Sequence, residues 1–377
     1  MHIGVDAQRL AGQRLGVGRY IEYLLRHWAD QISDDERVSL FVRGAIDRTG
    51  LPDIPAFRFE RLGPPLTGKL WQSLVLGPHA SRLDVLFCPS YTAPWVFRGR
   101  TVVAIHSVNE VEAGTHGPLY RYTLEPIHRR SAHQAEVVIV PSLSTKHDLQ
   151  SRYGVNASKI EIIPQGADEV FRPARDEADR RAIRHEYFRE DLPFLLFVGK
   201  LSQRRNIPIL IEALGILRHR HGIRMGLLLF GPNHLDLPLQ RLAAQHGVEN
   251  AVVQDDGRVA DHRALVRIYN AAEVYVNASA YEGFSMTLVE AMACGLPVVL
   301  TRRGALEEIA GEAGCYVEQL SGEAFAATLR SVVEDGALRA DLAARSARRG
   351  DGYRWGKFAQ ATLDVLRRVA AGAKAAA

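Results

Sequence analysis

The feature that most constrains the fold is an alternation, present in both halves of the chain, of short apolar runs with segments of helical periodicity. Apolar runs that end in glycine or polar loops are typical of buried strands in a parallel sheet, and helices then form the crossover connections. We therefore expect an α/β protein, with strands at 3–6, 38–42, 85–88, 102–106 and 137–141 in the first half and at 194–198, 225–230, 251–253, 274–277 and 297–301 in the second.

The alternation is interrupted near the middle of the chain. A turn-rich segment at 163–173 and a charged stretch at 175–184 separate the two groups of strands. Two such groups predict two Rossmann-like domains facing across a cleft, with ligands at the carboxyl ends of the strands. The predicted boundaries are 1–172 for the first domain, 173–190 for a linker, 191–352 for the second domain and 353–377 for a C-terminal helix that crosses back to the first domain.

Composition narrows the class of protein. The 377 residues are 47% hydrophobic and 24% charged, which is the balance of folded domains and excludes a disordered chain. The net charge of +4 suits anionic ligands, but no basic run with interleaved aromatics indicates nucleic-acid binding. The start of the chain does not resemble a signal peptide, and no apolar stretch approaches the roughly 18 residues of a transmembrane helix. We expect a cytoplasmic protein.

The three cysteines, Cys88, Cys294 and Cys315, are scattered and show no Cys-x-x-Cys spacing. This pattern indicates neither a disulfide framework nor a thiolate metal site. Asp-x-Asp, a pair that bridges metals in one class of sugar-transferring enzymes, occurs nowhere in the chain. No metal is expected.

The most specific local pattern is the segment 281–299, in which Glu282 lies in a loop and Glu290 lies inside the helix that follows. The unpaired N–H groups at the entrance of that helix form an anion site. One carboxylate could accept hydrogen bonds from sugar hydroxyls and the other from a ribose diol. Taken singly, each glutamate could equally lie on a solvated helix face. The residues expected around the anion site are Gly283, Phe284, Ser285 and Met286.

This segment resembles the Glu-x7-Glu motif of the retaining, nucleotide-sugar-dependent glycosyltransferases of family four, a mannosyltransferase-like group 1 family with the GT-B fold. The resemblance covers nearly the whole chain. Its other landmarks are Gly4-Val5-Asp6-Ala7, Leu15-Gly16-Val17-Gly18-Arg19-Tyr20, Val140-Pro141-Ser142, Ile163-Pro164-Gln165-Gly166-Ala167-Asp168, Val198-Gly199-Lys200, Arg204-Arg205-Asn206 and Phe230-Gly231.

The resemblance implies roles for these positions. Glu282 would contact the donor sugar, Glu290 the ribose, and Lys200 and Arg205 the diphosphate, with Gly199 at the start of the same basic loop. The family commonly has arginine where Lys200 stands and lysine where Arg205 stands, and the two cations bind phosphate with different geometry. Fixed cations and helix-end N–H groups can stabilise a departing diphosphate without a metal.

Two features of the first half also bear on the site. The resemblance places His106 beside the reacting sugar, as a hydrogen-bonding group and not a nucleophile, although Ser107 follows it where the family usually has aspartate. A lone histidine at a strand end is otherwise more often structural. Gly16 would let the backbone approach the donor phosphate or the acceptor. The glycine pattern here does not match a dinucleotide fingerprint, because Ile21 stands where the third glycine belongs.

The resemblance implies transfer of a hexose from a GDP- or UDP-linked donor to a glycan or lipid-linked acceptor in cell-surface polysaccharide synthesis. A mannose-like hexose is the favoured sugar. A nucleotide-sugar epimerase of the same fold and a non-catalytic sugar-nucleotide-binding protein are the alternatives. The amphipathic stretch 68–76 and the basic-aromatic stretch 120–130 could contact an anionic membrane peripherally. Ordinary surface helices would have the same pattern.

Overall fold

The computed structural model describes residues 1–372 except 13, 15, 65, 109–117, 175, 189, 234 and 258–261, and it describes no side chains at 118–122 and 262. The chain forms two compact units. The first comprises Met1–Gln165 and the C-terminal segment from Trp355, and the second comprises Gly166–Arg354. No helix in the described part of the chain is both long and apolar enough to cross a membrane.

The first unit is built on a seven-stranded sheet in which every neighbouring pair is parallel. The order is β3-β2-β1-β4-β5-β6-β7, so the direction of strand addition reverses between β1 and β4. The strands are β1 His2–Asp6, β2 Arg37–Val42, β3 Phe57–Arg61, β4 Val85–Cys88, β5 Thr101–Ala104, β6 Val137–Val140 and β7 Ile160–Ile162. The helices before the chain leaves this unit are α1 Val17–Trp28, α2 Gly68–Trp71, α3 Gly77–His79, α4 Pro118–Gln134 and α5 Leu143–Tyr153, with a π-helical turn Gln72–Leu76 joining α2 to α3.

The second unit has a six-stranded parallel sheet in the order β10-β9-β8-β11-β12-β13. Its central strands are wholly buried, which is why they occur in the sequence as continuous apolar runs. The strands are β8 Phe194–Val198, β9 Gly226–Phe230, β10 Val252–Asp255, β11 Val274–Asn277, β12 Val298–Thr301 and β13 Gly314–Val317. The helices are α6 Glu177–Phe188, α7 Ile207–His221, α8 Leu239–Gln245, α9 His262–Ala271, α10 Met286–Ala293, α11 Leu306–Ala310, α12 Gly322–Glu334 and α13 Gly336–Asp351.

The stretch 173–190, expected as a linker, instead contains α6 and belongs to the second unit. Two of its arginines form ion pairs within this unit: Arg180 and Arg184 lie 2.9 and 2.6 Å from the carboxylate of Glu273. The chain passes from the first unit to the second after Gln165.

The last helix, α14 Trp355–Ala370, belongs to the first unit. Trp28 of α1 donates a hydrogen bond from Nε1 to the carbonyl of Ala359 at 2.9 Å, and the ring of Tyr23 stacks on Trp355 at 5.1 Å. Arg367 pairs with Glu36 at 2.7 Å. The first unit is therefore completed by residues that are nearly the whole chain apart in sequence.

Candidate functional site

The candidate residues of the second unit lie in two loops that the sheet topology brings together. Strands β8 and β11 are hydrogen-bonded neighbours, and the order of the sheet reverses between them. Ligands of open parallel sheets bind at such a reversal, outside the carboxyl ends of the strands. The loop 199–206 follows β8 and the loop 278–285 follows β11. We call them the basic loop and the acidic loop.

The two loops are joined by hydrogen bonds. The N–H of Ala280 donates to the carbonyl of Arg204 at 2.8 Å, and Asn206 Nδ2 donates to the carbonyl of Ala278 at 2.9 Å. Arg204 Nη1 donates to the carbonyl of Tyr281 at 2.7 Å. Asn206 has φ 51°, a left-handed conformation that asparagine tolerates better than most residues. The loops therefore act as one structural element.

Glu282 lies at the centre of this element and is only 2% exposed. Its carboxylate pairs with Arg204 at 3.0 Å and with Arg205, and Ser279 Oγ donates to it at 2.9 Å. A buried carboxylate is stable only when it is paired and hydrogen-bonded in this way. The Nε–H of Arg205 is buried and has no acceptor within the described structure.

The end of β12 and the loop after it pack against the backbone of the acidic loop. Gly304 has φ +59°, and a Cβ atom at this position would lie 2.2 Å from the carbonyl oxygen of Glu282. The N–H of Ala305 donates to that same oxygen at 2.8 Å, and Thr301 Oγ1 donates to the carbonyl of Ser279 at 2.7 Å. Neither Ser279 nor Gly304 was predicted from the sequence. The available signal was a glycine three residues after a predicted strand end.

Lys200 differs from the two arginines of the basic loop, which pair with Glu282. It is exposed and makes no hydrogen bond or ion pair with any residue that the structure describes. Gly199, beside it, has φ +140°, and its carbonyl oxygen would lie 2.2 Å from a Cβ atom at Gly231. The end of β8 thus packs closely on the end of β9. Lys200 is free to meet an anion, whereas Arg205 is already committed to a carboxylate.

Helix α10 begins directly after the acidic loop. Ser285 caps it, with Oγ accepting from the N–H of Leu288 at 3.3 Å. The first N–H groups of the helix point out of this end, where Gly283, Phe284 and Met286 also lie. The helix entrance that we expect to bind an anion is therefore capped by Ser285 and follows directly after the loop that carries Glu282.

Glu290 lies one turn further along α10 and is completely buried. The hydroxyl of Tyr269 in α9 donates to Glu290 Oε2 at 3.0 Å and lies 3.1 Å from the carbonyl of Thr287. Glu290 is therefore part of the core of this unit, and the structure adds Tyr269 as a partner that the sequence did not reveal.

His106 lies in the first unit, two residues beyond the end of β5 and not within the strand as expected. Its Nε2 is 2.8 Å from the carbonyl of Pro89, and Gln165 Nε2 is 2.8 Å from its Nδ1. Since a carbonyl accepts and an amide nitrogen donates, the ring is a neutral Nε2–H tautomer. Burial lowers the pKa of His106 to about 4, which keeps it neutral near pH 7. Both ring nitrogens are engaged with the protein.

Two tyrosines surround this histidine. The rings of Tyr20 and Tyr91 contact His106 edge-on, with centroids 4.8 and 5.5 Å away. Tyr91 has φ 68°, an uncommon conformation for a bulky residue, and its hydroxyl lies 3.4 Å from that of Ser107. Strained residues of this kind cluster at functional sites. Neither tyrosine was marked by the sequence as part of a site.

The two glycines at the start of α1 have different roles. Gly16 precedes the helix with φ +50° and has open space where a Cβ would be. A Cβ at Gly18 would lie 2.6 Å from the carbonyl oxygen of Arg9, so Gly18 is required for packing. Leu15, part of the same motif, lies outside the described residues.

The described residues contain neither a metal-binding cluster nor, at Cys88 and Cys294, an ionised thiol. No group of three or more histidine, cysteine, aspartate or glutamate side chains among them is arranged to hold a metal ion. Burial raises the pKa of the Cys88 and Cys294 thiols, so both remain protonated. They act as small apolar side chains.

Comparison with known families decides the assignment. A model of glycosyl transferases group 1 matches residues 179–349, and a model of glycosyltransferase family 4 matches residues 15–171. The two matches follow one another along the chain and correspond to its two units. The chain belongs to the group 1 glycosyltransferases.

Curated relatives of this group 1 glycosyltransferase have related names. The chain is 30% identical over 288 residues to a D-inositol 3-phosphate glycosyltransferase of Corynebacterium urealyticum, covering 72% of this chain and 65% of the relative. A protein of the same name from Kineococcus radiotolerans is 30% identical over 257 residues, covering 62% and 57%. The O-antigen chain mannosyltransferase B of Escherichia coli is 23% identical over 270 residues, covering 71% and 70%. The chain spans less than two thirds of the length of the first two relatives.

Solved structures establish the fold of this group 1 glycosyltransferase as GT-B. A sucrose-phosphate synthase from Thermosynechococcus elongatus has a TM-score of 0.81 at 22% identity, covering 99% of this chain and 100% of that one. Anabaena HepE in complex with UDP and glucose has a TM-score of 0.76 at 18% identity, covering 97% and 99%. At this identity the likeness is one of fold.

Proposed function

We propose that this protein is a retaining, metal-independent hexosyltransferase that uses a nucleoside diphosphate sugar as donor. The observation that carries the proposal is the buried Glu282, held by Arg204 and Arg205 beside the exposed Lys200 at the reversal point of the second sheet. An enzyme that releases a diphosphate needs fixed positive charge where the leaving group departs. The HepE structures with UDP, glucose and UDP-glucose support a donor of this class.

The charges of the basic loop have separate roles in this proposal. Lys200 meets the diphosphate directly, because no protein carboxylate in the described structure neutralises it. Arg205 contributes through its buried Nε–H, which has no acceptor in the described structure, and through the positive charge next to Glu282. The entrance of α10 adds N–H groups and the positive end of the helix dipole. These groups replace a metal ion in stabilising the leaving group.

Glu282 orients the donor sugar, and Glu290 binds the ribose diol. Four contacts fix the position of Glu282 before any ligand binds, which is the preorganisation that selective recognition of hydroxyls requires. Glu290 is fully buried, so binding of a ribose at its carboxylate requires the side chains that cover it to move. The ribose role therefore predicts a local conformational change on nucleotide binding.

The acceptor hydroxyl attacks from the face that the diphosphate leaves, and a phosphate oxygen takes its proton, which retains the anomeric configuration. His106 is a poor base for this step, since burial lowers its pKa to about 4 and so weakens its affinity for a proton. It acts as a hydrogen-bonding group by exchanging one of its present partners, Pro89 or Gln165, for a sugar hydroxyl.

The sugar is proposed as mannose-like and the acceptor as a glycan or lipid-linked glycan of cell-surface polysaccharide synthesis. The name of the Escherichia coli relative, an O-antigen chain mannosyltransferase, supports this choice. The names of the two D-inositol 3-phosphate glycosyltransferases widen the acceptor class to phosphorylated polyols.

The test is transfer from a panel of GDP- and UDP-hexoses to glycan, glycolipid and inositol phosphate acceptors, with EDTA present throughout. We expect one donor to give a glycoside of unchanged anomeric configuration, identified by proton NMR, together with a free nucleoside diphosphate. An inverted product, or activity that requires added magnesium or manganese, contradicts the mechanism. Conversion of the donor sugar without an acceptor would instead indicate an epimerase.

A further inference from the structure

The first unit carries a cluster of exposed apolar side chains that its proposed chemistry does not use. Leu70 is 45% exposed, Leu74 59%, Trp95 39% and Val96 65%. We call these four residues the apolar patch. They are most of the large apolar side chains that are exposed in the described part of the chain. Single exposed apolar residues are ordinary, but a cluster of them marks an interaction surface.

The patch is assembled from two elements held firmly together. Leu70 and Leu74 lie four residues apart on the continuous helical segment of α2 and the π-helical turn, so they share a face. The N–H of Trp95 donates to Ser73 Oγ of that segment at 3.1 Å. The loop carrying Trp95 and Val96 is therefore fixed against the helical segment.

Helix α4 holds the loop from the other side. Gln134 donates from Nε2 to the carbonyls of Pro94 and Phe97 at 3.1 and 2.7 Å, and Arg130 Nη2 donates to the carbonyl of Trp95 at 3.4 Å. Because these contacts fix both ends of the loop, the exposure of Trp95 and Val96 is built into the fold.

The segments that carry the patch, and helix α4 that bonds to them, are rich in positive charge. The chain contains 47 basic and 43 acidic residues, yet the segments 62–79 and 89–101 contain no acidic residue. Within the described side chains of α4, at 123–134, only Glu125 is acidic. The basic side chains of these segments, which we call the basic surround, are Lys69, Arg98, Arg100, Arg129 and Arg130.

We propose that the apolar patch binds the surface of an anionic lipid bilayer. Aliphatic side chains and a tryptophan, with a basic surround, are the combination that inserts at the boundary of headgroups and acyl chains while cations meet anionic lipid. The basic surround favours an anionic bilayer over an apolar protein face, which would leave these cations without counter-charge. This inference does not depend on the proposed transferase activity, since the patch lies outside the basic and acidic loops.

The test is co-sedimentation of the full chain with phosphatidylcholine vesicles, with and without phosphatidylglycerol. We expect binding to vesicles that contain phosphatidylglycerol, weakened by added salt because the basic surround is screened. Leu74→Glu/Val96→Glu should weaken binding at least about tenfold, since each change replaces an inserted apolar group by a carboxylate. The matched control is Leu235→Glu/Leu320→Glu, which alters two exposed leucines of the second unit (52% and 38%) and should bind as the parent does.

Three results would overturn the proposal. One is absence of vesicle binding by a folded parent chain. Another is an equal loss of binding in the Leu74→Glu/Val96→Glu variant and the control. The third is self-association of the parent, detected by analytical ultracentrifugation, that Leu74→Glu/Val96→Glu abolishes in the absence of vesicle binding, which would assign the patch to a second copy of the chain. Nucleotide-induced stabilisation of each variant, measured in parallel, separates failure of this surface from failure of the donor site.

Discussion

At the scale of single residues, Glu282 determines the character of the proposed donor site. It is buried, and two guanidinium groups and a serine hydroxyl satisfy its carboxylate. The same arrangement leaves Lys200 as the exposed cation of the basic loop. The site therefore has one cation that can bind an anion without rearrangement and two that are already paired.

Glu282→Gln should lower the free energy of unfolding by about 3 kcal/mol, because it leaves two partly buried guanidinium groups without their counter-charge. Urea unfolding of the parent and the variant measures this difference. The matched control is Glu318→Gln, an exposed partner of Arg302, which should change stability by less than about 0.5 kcal/mol. Equal stability of Glu282→Gln and the parent would show that the ion pairs contribute nothing.

His106 should make the first unit sensitive to mild acid. Its pKa is about 4 in the folded chain, against an ordinary value of 6.5. Between these values the unfolded chain binds a proton that the folded chain does not, so stability falls as the pH drops through this window. At pH 5.5 the loss is about 1.4 kcal/mol relative to neutral pH.

The measurement is the free energy of unfolding of the parent and of His106→Gln at pH 7.5 and pH 5.5. The variant should lose less stability between these two conditions, because it has no imidazole to protonate. If both proteins respond equally to pH, then His106 is not the buried neutral group described above.

At the scale of elements, the proposed donor site is built from two loops and one glycine. The basic and acidic loops share hydrogen bonds, and Gly304 lets the end of β12 approach the backbone of Glu282. A side chain at 304 would collide with that backbone, so the position of Glu282 depends on a residue in a different strand connection.

Gly304→Ala should weaken binding of the nucleoside diphosphate at least about tenfold, since its Cβ would displace Glu282 and the loop joined to it. Gly222→Ala is the matched control, because Gly222 has φ +67° and open space around the Cβ position. Both changes should cost about 1 kcal/mol of stability from the left-handed conformation, and only Gly304→Ala should affect binding, as measured by calorimetric titration. Equal affinity of the two variants would separate Gly304 from the site.

The strands that the sequence predicts most clearly are those whose residues are all buried and therefore all apolar. Strands β8, β11 and β12 are buried along their whole length, so their apolar runs are unambiguous. Strands β3, β7 and β13 were not predicted because each is only partly buried and carries polar or small residues. The charged stretch containing α6 was interpreted as a linker because its ion pairs to Glu273 join residues that are far apart in sequence.

The candidate site divides in the same way. Glu282, Lys200 and Arg205 were predicted as site residues because the order of motifs along the chain identifies them. Ser279, Gly304, Tyr269 and Gln165 were not, because each acts through a contact with a residue in another segment, which no local pattern records.

At the scale of the whole molecule, two units of the same α/β type carry different parts of the proposed chemistry. The second unit holds the basic and acidic loops, and the first holds His106 and the apolar patch. Helix α14 returns to the first unit and buries Trp355 against α1. The second unit is proposed to bind a nucleoside diphosphate through Lys200 and the loops around it.

The most direct test is the melting temperature of the purified chain with UDP, GDP, ADP, dTDP or NAD in the presence of EDTA. One nucleoside diphosphate should raise it without a metal, with a stabilisation of about 2.7 kcal/mol at about 100 times its dissociation constant. Without ligand, Lys200→Gln should melt at the same temperature as the parent, and with the nucleoside diphosphate it should lose most of the shift. Arg218→Gln, which removes an equal charge from the exposed end of α7, should keep the shift. A shift with NAD and with no diphosphate, or an undiminished shift in Lys200→Gln, would contradict the assignment of this site.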